Sequence, residues 1–456
     1  MTATIAVIGT GYLGATHAAC LADLGFDVIG LDTDAAQISE LAAGRLPFVE
    51  PDLPDLVARH TRSGRLRFTT DVAEIVAADL HFLCVGTPQL PDGLAADTRY
   101  LVSAVTELVP RLRSDALIVG KSTVPVGTAA GLQRLAGQLA PAGVAVEIAW
   151  NPEFLREGRA VADTLRPDRL VFGVVSATAE KQLREVYRGV LDLGTPCVVT
   201  DLASAELVKV AANAFLATKI SFVNAIAELC DATGGDVVAV AEALGHDDRI
   251  GRPFLGAGLG FGGGCLPKDI RALMARAGEL GVDRVLTFLR EVDDINLQRR
   301  QRVVEMATEE LGGTVAGRRV AVLGAAFKPL TDDVRDSPAL DVAAQLHLRG
   351  ARVSVYDPVA TENARRAFPT LRYADSVTDA VAGADVVLHL TEWAEFARLD
   401  PAALAGLVAQ PVVIDARNAL PADAWIDAGW TVRAMGRPRR PAPTALVDAS
   451  PVPRSR

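Results

Sequence analysis

The stretch Thr4-Ile5-Ala6-Val7-Ile8-Gly9-Thr10-Gly11-Tyr12-Leu13-Gly14 joins an apolar run, a glycine turn and the opening of a helix, and Val28-Ile29-Gly30-Leu31-Asp32 follows about twenty residues on. Gly9, Gly11 and Gly14 permit a tight turn and close backbone approach. Unpaired N–H groups at the helix start, around Tyr12 and Leu13, suit a pyrophosphate by geometry and dipole. Asp32, ending the second run, is placed to accept from adenosine ribose hydroxyls. The same acid repels a 2′-phosphate and Thr33 beside it offers no positive charge, so the expected cofactor is NAD rather than NADP.

Beyond this unit, Val/Ile/Leu runs keep alternating with helical stretches. Residues 81–85, 116–119, 146–150 and 170–174 join 5–8 and 28–31 as strands, which implies a parallel sheet with helices on both faces. Residues 202–233 hold neither Gly nor Pro, and Leu207, Val210, Ala211, Ala214, Phe215 and Ala217 recur at three- and four-residue spacing. One helix of roughly 45 Å is expected there, long enough to join two lobes and to pack against a second subunit in a homodimer. After Gly312-Gly313 the alternation restarts over 319–324, 352–356, 385–390 and 412–415. The fold class is therefore α/β, two Rossmann-like doubly wound lobes joined by a central helical region. The expected divisions are a dinucleotide lobe over 1–200, a helical middle over 201–312, a second α/β lobe over 313–436 and a loose Pro/Arg-rich tail over 437–456.

The 456 residues, half of them hydrophobic and 22% charged, suffice for several cores and are too apolar for a disordered chain. Lys plus Arg number 46 against 56 Asp plus Glu, a net charge of −10 that argues against nucleic acid and anionic membrane as partners. Charges and glycines interrupt the apolar runs, so no membrane span is expected. With no signal-peptide pattern at the start, a cytoplasmic protein is the expectation. Cys20, Cys84, Cys197, Cys230 and Cys265 form an odd, scattered set without metal-ligand spacing, which argues against a disulfide framework and a metal site.

Val85-Gly86-Thr87-Pro88 and Lys121-Ser122-Thr123-Val124-Pro125 each end a strand on the side where doubly wound sheets bind ligands, unless they are merely proline turns. Phe261-Gly262-Gly263-Gly264-Cys265-Leu266-Pro267-Lys268-Asp269 sets a thiol after three glycines. Lys268 and nearby N–H groups would lower its pKa and make Cys265 a nucleophile; the plainer alternative is a small residue in a tight turn. In Asn151-Pro152-Glu153-Phe154-Leu155-Arg156-Glu157-Gly158 two acids four residues apart suit the orientation of water or sugar hydroxyls, or simply cap a helix. Lys209 and Asn213 stand four apart on the long helix, facing a shared polar pocket or, in the lysine's case, snorkelling to water.

With these segments in order, the chain from the first strand to about Asn418 resembles the nucleotide-sugar 6-dehydrogenase family, which includes the UDP-glucose 6-dehydrogenases. The resemblance rests on GTGYLG, VGTP, STVP, NPEFLREG, the KVAAN of the long helix, FGGGCLPKD and the AFKPLTDDVRDSP of the last lobe. It implies four-electron oxidation of the C6 hydroxyl of a nucleotide-linked hexose to a carboxylate, with two NAD reduced in turn and no aldehyde released. Cys265 then captures the C6 aldehyde as a thiohemiacetal, which a second oxidation turns into a thioester. Lys209, Asn213, Thr123, Glu157 and Asp269 match residues that position water and manage protons and oxyanion charge, with Lys209 the acid/base residue and Glu157 assisting thioester hydrolysis.

By the same resemblance Gly86, Thr87, Pro88, Thr123, Glu157, Lys268 and Arg335 join the glycine turn and Asp32 on the cofactor. Glu153, Phe154, Leu155, Arg156, Glu157, Lys209, Asn213 and Cys265 border the sugar nucleotide, as do Phe254, Leu255, Gly256 and Gly260. Lys328 and Arg417 lie on the ligand side, and Arg249 reaches the ligand of the partner subunit. Two positions depart from the pattern: Gln37, where many members carry a basic residue near the adenosine ribose, and Gly256, where some carry a polar or basic side chain. UDP-glucose is the expected substrate. The alternatives are dTDP-glucose, a UDP-N-acetylhexosamine or GDP-mannose and, further off, a single-step hydroxyacid dehydrogenase or an inactive nucleotide-binding regulator.

Overall fold

Alternation of side chains across a strand, with helices on both faces, explains the first sheet: β1 (Thr4–Ile8) sends Ile5 and Val7 into one core and Ala6 and Ile8 into another. The computed structural model describes residues 3–442, so 443–456 of the expected tail lie outside the described residues. The described residues divide into two compact units, one of residues 3–218, 262–293 and 330–332, the other of 219–261, 294–329 and 333–442.

In the first unit β1 is joined by β2 (Asp27–Leu31), β3 (Leu66–Thr69), β4 (Leu80–Leu83), β5 (Ala116–Gly120), β6 (Val146–Trp150), β7 (Leu170–Gly173) and β8 (Cys197–Thr200). Their order is β3-β2-β1-β4-β5-β6-β7-β8. All pairs are parallel except β6 and β7, which meet antiparallel through Trp150 and Gly173, a departure from the expected all-parallel sheet. The order reverses at β1, between β2 and β4, and such switch points open the crevice where ligands bind beyond the strand ends.

The second unit repeats the plan with β9 (Arg319–Leu323), β10 (Arg352–Tyr356), β11 (Arg372–Tyr373), β12 (Val386–His389), β13 (Val412–Asp415) and β14 (Thr431–Ala434) in the order β11-β10-β9-β12-β13-β14, all parallel. Residues 437–442 are not loose as expected. Arg440 exchanges backbone hydrogen bonds with Val432, Arg439 pairs with Glu310 at 2.9 Å and Arg437 with Asp236 at 3.1 Å. Guanidinium groups spaced along the segment find carboxylates there, a source of order that composition does not reveal.

The long helix runs Leu202–Thr233, as its Gly- and Pro-free spacing predicts. By length and composition it could cross a membrane, with an 18-residue window of mean hydropathy 1.4, so the expectation that every apolar run is broken was too strict. A row of buried polar residues, Glu206, Lys209, Asn213, Ser221 and Asn224, marks it instead as a core helix with a polar inner face.

Candidate active site

The glycine turn lies between β1 and the helix Tyr12–Asp23, at the switch point. Gly9 has φ +87°, and a Cβ there would stand 2.8 Å from the Val85 backbone; a Cβ at Gly14 would stand 1.7 Å from the Gly9 carbonyl oxygen. These two glycines let β1, β4 and the helix close on one another. Gly11 and Gly86 differ, because nothing of the chain lies within 4 Å of a Cβ at either, and their backbone stays open to a ligand. Asp32 Oδ2 accepts from Thr10 N at 2.7 Å and from the Thr10 hydroxyl at 3.2 Å, so turn and acid form one unit, and Gln37 Nε2 donates to the same hydroxyl at 3.2 Å.

Open backbone, a helix N-terminus and an acid at the end of β2 fit NAD. The Thr87 hydroxyl donates to the Thr123 carbonyl at 2.7 Å and the Ser122 hydroxyl to that of Val85 at 2.7 Å, which ties together the two proline loops; Pro88 is exposed beside Gly86. In the second unit Asp357 follows β10 as Asp32 follows β2. Its buried carboxylate is spent on Ala325 N, Ala326 N, Trp393 Nε1, Val359 N and Ala360 N.

Cys265 is the N-cap of the helix Leu266–Glu279, after a turn in which Gly263 has φ +83°. Its side chain is open to solvent, yet the recess is deep enough that desolvation is the largest upward push on the thiol. Glu153, Asp269 and Glu157 push the same way against Lys209, and the pKa rises to about 11. This corrects the expectation of a thiol acidified by Lys268: that ammonium is engaged by Asp269 at 2.5 Å.

Asp269 is 1% exposed and also accepts from Asn213 Nδ2 at 2.6 Å, which joins the long helix to the cysteine helix. Lys209 Nζ pairs with Glu153 Oε1 at 2.9 Å, both side chains nearly buried. Burial opposes the Lys209 charge, but Glu153, Cys265 and Asp269 outweigh it and hold its pKa above the ordinary value. Thr123 lines a small cleft with Lys268, Asp269 and Val210. The first unit thus brings together Cys265, Lys209, Asn213, Asp269, Glu153, Glu157, Thr123 and Lys268.

Glu153 Oε2 accepts from Leu155 N at 2.7 Å, and Phe154 lies beneath two cations, Arg169 at 3.8 Å and Lys209 at 5.6 Å from its ring centre. The Arg156 guanidinium is committed to Asp163 at 2.6 and 2.8 Å. Glu157 accepts from the Thr331 hydroxyl at 3.0 Å. Gly158 has φ +81° and lies too close to Leu330 for any Cβ.

Glu50 is a residue that sequence reasoning missed. Buried, it accepts from the Tyr12 hydroxyl, from Gly158 N at 2.6 Å and from Ala160 N at 2.7 Å, fastening the glycine-turn helix to the Glu157 loop. Burial and this bond hold the Tyr12 phenol far above its ordinary pKa. A lone acid between Val49 and Pro51 in a loop carries no sequence signal for this.

In the second unit the segment 254–261 is clasped peptide by peptide. Asn418 Nδ2 donates to Ala257 O, Asn224 Oδ1 accepts from Gly258 N, and Asn296 bonds both N and O of Phe261. Phe254 has φ +66°, Leu255 is buried, Gly256 is open, and Gly260, at φ +89°, abuts Asn296. Arg417 spends its guanidinium on Gly260 O at 2.8 Å and Leu390 O at 2.7 Å. Lys328 Nζ lies 5.6 Å from the Phe327 ring centre, Arg335 forks onto Asp333, and the exposed Arg249 onto Asp247.

Three models of the UDP-glucose/GDP-mannose dehydrogenase family match the chain: the NAD binding domain over residues 3–191, the central domain over 203–298 and the UDP binding domain over 321–422. A UDP-glucose 6-dehydrogenase of Rhizobium meliloti is 42% identical over 437 residues, 95% of this chain and 99% of that protein. UDP-glucose 6-dehydrogenase YwqF of Bacillus subtilis is 40% identical over 435 residues, 95% of this chain and 97% of its own. The structure of a UDP-glucose dehydrogenase from Pyrobaculum islandicum superposes with a TM-score of 0.86 at 40% identity, covering 93% of this chain and 96% of that one. The chain belongs to the UDP-glucose/GDP-mannose dehydrogenase family and is an NAD-dependent oxidoreductase.

Proposed function

We propose that this protein oxidises UDP-glucose to UDP-glucuronate in two successive two-electron steps, with Cys265 as the covalent tether. NAD, when bound, supplies the hydride acceptor for both oxidations. The Lys209 ammonium, held charged by Glu153 and its neighbours, stabilises developing alkoxide at C6, and Asn213 and Asp269 hold the thiol's surroundings in place. The Sγ–C6 bond forms at the aldehyde level and breaks when water attacks the thioester. Glu157 takes a proton from that water as the thiolate leaves.

The observation that carries this reading is the grouping of Cys265 with Lys209, Glu153 and Asp269 in one recess beside an NAD-type crevice. The nucleotide is assigned to the 313–436 lobe with Lys328 and Arg417, the cofactor to 1–200 with Arg335 on its phosphates, and Arg249 to the ligand of a partner subunit in a cytoplasmic homodimer. Exposed Phe215, Phe222 and Leu229 on the long helix favour that dimer. NADH formation across UDP-glucose, dTDP-glucose, UDP-N-acetylglucosamine and GDP-mannose is the test. UDP-glucose should give the highest kcat/KM and two NADH per sugar consumed; a ratio of one removes the four-electron reaction.

A further inference from the structure

Lys121 opens the Lys-Ser-Thr-Val-Pro motif just beyond β5 and is 6% exposed, yet the reaction as derived gives it no part. Its hydrogen-bond partners are all neutral: Asn151 Oδ1 at 2.9 Å, Asn151 O at 3.4 Å and the Tyr187 hydroxyl at 3.2 Å. The rings of Phe82 and Tyr187 flank the ammonium with centroids 5.8 and 5.7 Å away. Asn151 is fully engaged as well. Its Oδ1 also accepts from the Tyr187 hydroxyl at 2.6 Å, its Nδ2 donates to Val171 O at 3.0 Å, and its N donates to Gly120 O at 2.8 Å.

The titratable groups around this ammonium are His17 from the helix Tyr12–Asp23, Cys84 beyond β4, Tyr187, and the Glu153–Lys209 pair. Burial keeps His17 neutral and pushes the Cys84 thiol and Tyr187 phenol up, so none of these three offsets the charge. A buried cation among neutral partners is costly, and an apolar side chain of similar volume usually serves stability as well or better. Retaining the charge calls for another reason. Asn151 precedes Pro152, which stiffens the turn, and Glu153 follows with Lys209 on its carboxylate.

We propose that Lys121 is a positioning residue: its ammonium grips both oxygens of Asn151 and so fixes the Asn-Pro-Glu turn that aims Glu153 at Lys209. This rests on the reading of Lys209 as the group facing the C6 oxygen. Burial pulls the Lys121 pKa down to about 8, against the pull of Glu153, so the charge-assisted grip is present below that pH and weakened above it. The sign for stability is opposite: a lysine with a depressed folded pKa destabilises while charged, and stability recovers as pH rises through 8 toward its unfolded value.

Lys121→Met and Asn151→Asp test this in the full chain. Lys121→Met should lose at least tenfold in kcat, keep its NAD Kd within twofold and its Tm undiminished, and lose the alkaline limb near pH 8. Amide exchange at Leu155, whose N–H is held by Glu153, should quicken about tenfold. Asn151→Asp supplies a carboxylate partner and should move the alkaline limb of kcat upward by about one pH unit, which decides the matter if Lys121→Met does not fold. A Lys121→Met enzyme matching the parent in kcat, pH profile and Leu155 exchange overturns the proposal, as does an unmoved limb in Asn151→Asp. An unmodified protein inactive on every nucleotide sugar would sink the reading of the reaction instead, and Leu155 exchange would still judge the role of Lys121.

Discussion

Cys265, the proposed nucleophile, is set among acids, which is the reverse of the usual way to activate a thiol. With its pKa raised to about 11 by desolvation, Glu153 and Asp269, the resting thiol is almost wholly protonated at neutral pH. Iodoacetamide should therefore label Cys265 at least tenfold more slowly at pH 8 than an ordinary cysteine, and the rate should keep climbing above pH 9; mass spectrometry of the labelled peptide reads it. A plateau below pH 8 would contradict the raised value. Cys265→Ala should abolish acid formation and leave NAD binding intact, since the cofactor turn draws nothing from the thiol. Lys209→Met leaves Glu153 without its ion-pair partner and removes the charge proposed to face C6, so kcat should drop by about 10²–10⁴-fold. Retention of more than a tenth of the activity would show that the ammonium is not the acid/base group.

At the scale of elements, two glycines of one turn make opposite predictions. Gly11→Ala adds a methyl to open space at a φ of −60° that alanine tolerates, so Tm should hold while the NAD Kd rises at least tenfold. Gly14→Ala drives a Cβ into the Gly9 carbonyl and should lower Tm and NAD affinity together. Thermal melts with and without NAD separate the two. Glu50→Ala strands Gly158 N, Ala160 N and the Tyr12 hydroxyl, a loss of about 1–3 kcal/mol per buried donor, and should lower Tm by several degrees.

The contrast also says what the sequence could disclose. Gly11 and Gly14 read alike in a motif, and only the approach of helix to strand tells a ligand gap from a packing gap. The strands 146–150 and 352–356 and the long helix were legible because apolar periodicity is local. β3 and β8 were not: Leu-Arg-Phe-Thr is short and half polar, and Val198 and Val199 on the edge strand β8 stay exposed. Likewise Cys265, Lys209 and Asp269 sit in recognisable motifs, whereas Glu50 acts through backbone N–H groups 108 and 110 residues away, which no spacing announces. The upward shift of Cys265 comes first from burial and then from Glu153 and Asp269, which spacing within the motif does not weigh. Lys268 stands only three residues from Cys265, but its ammonium is taken by the next residue, Asp269.

Among the described residues, the outer face of the long helix is left uncovered. Phe215, Phe222 and Leu229 are 65%, 53% and 60% exposed, and they follow one another at intervals of seven residues. A seven-residue repeat drifts only about 20° per step around a straight helix, so the three form one stripe. Burying a side chain of this kind contributes about 1.5–3 kcal/mol, and a two-fold axis would double the set by pairing the stripe with its own copy. The protein should therefore run as a dimer by light scattering at micromolar concentration. Phe222→Asp puts a charge in the middle of the stripe, where it touches no part of the reaction recess, and should shift the mass to that of a monomer with Tm little changed. If Arg249 completes the partner's site, activity falls with dimer fraction and returns as protein concentration rises. A Phe222→Asp protein that stays dimeric would place the interface elsewhere, and one that is monomeric with full activity would show that each chain carries a complete site.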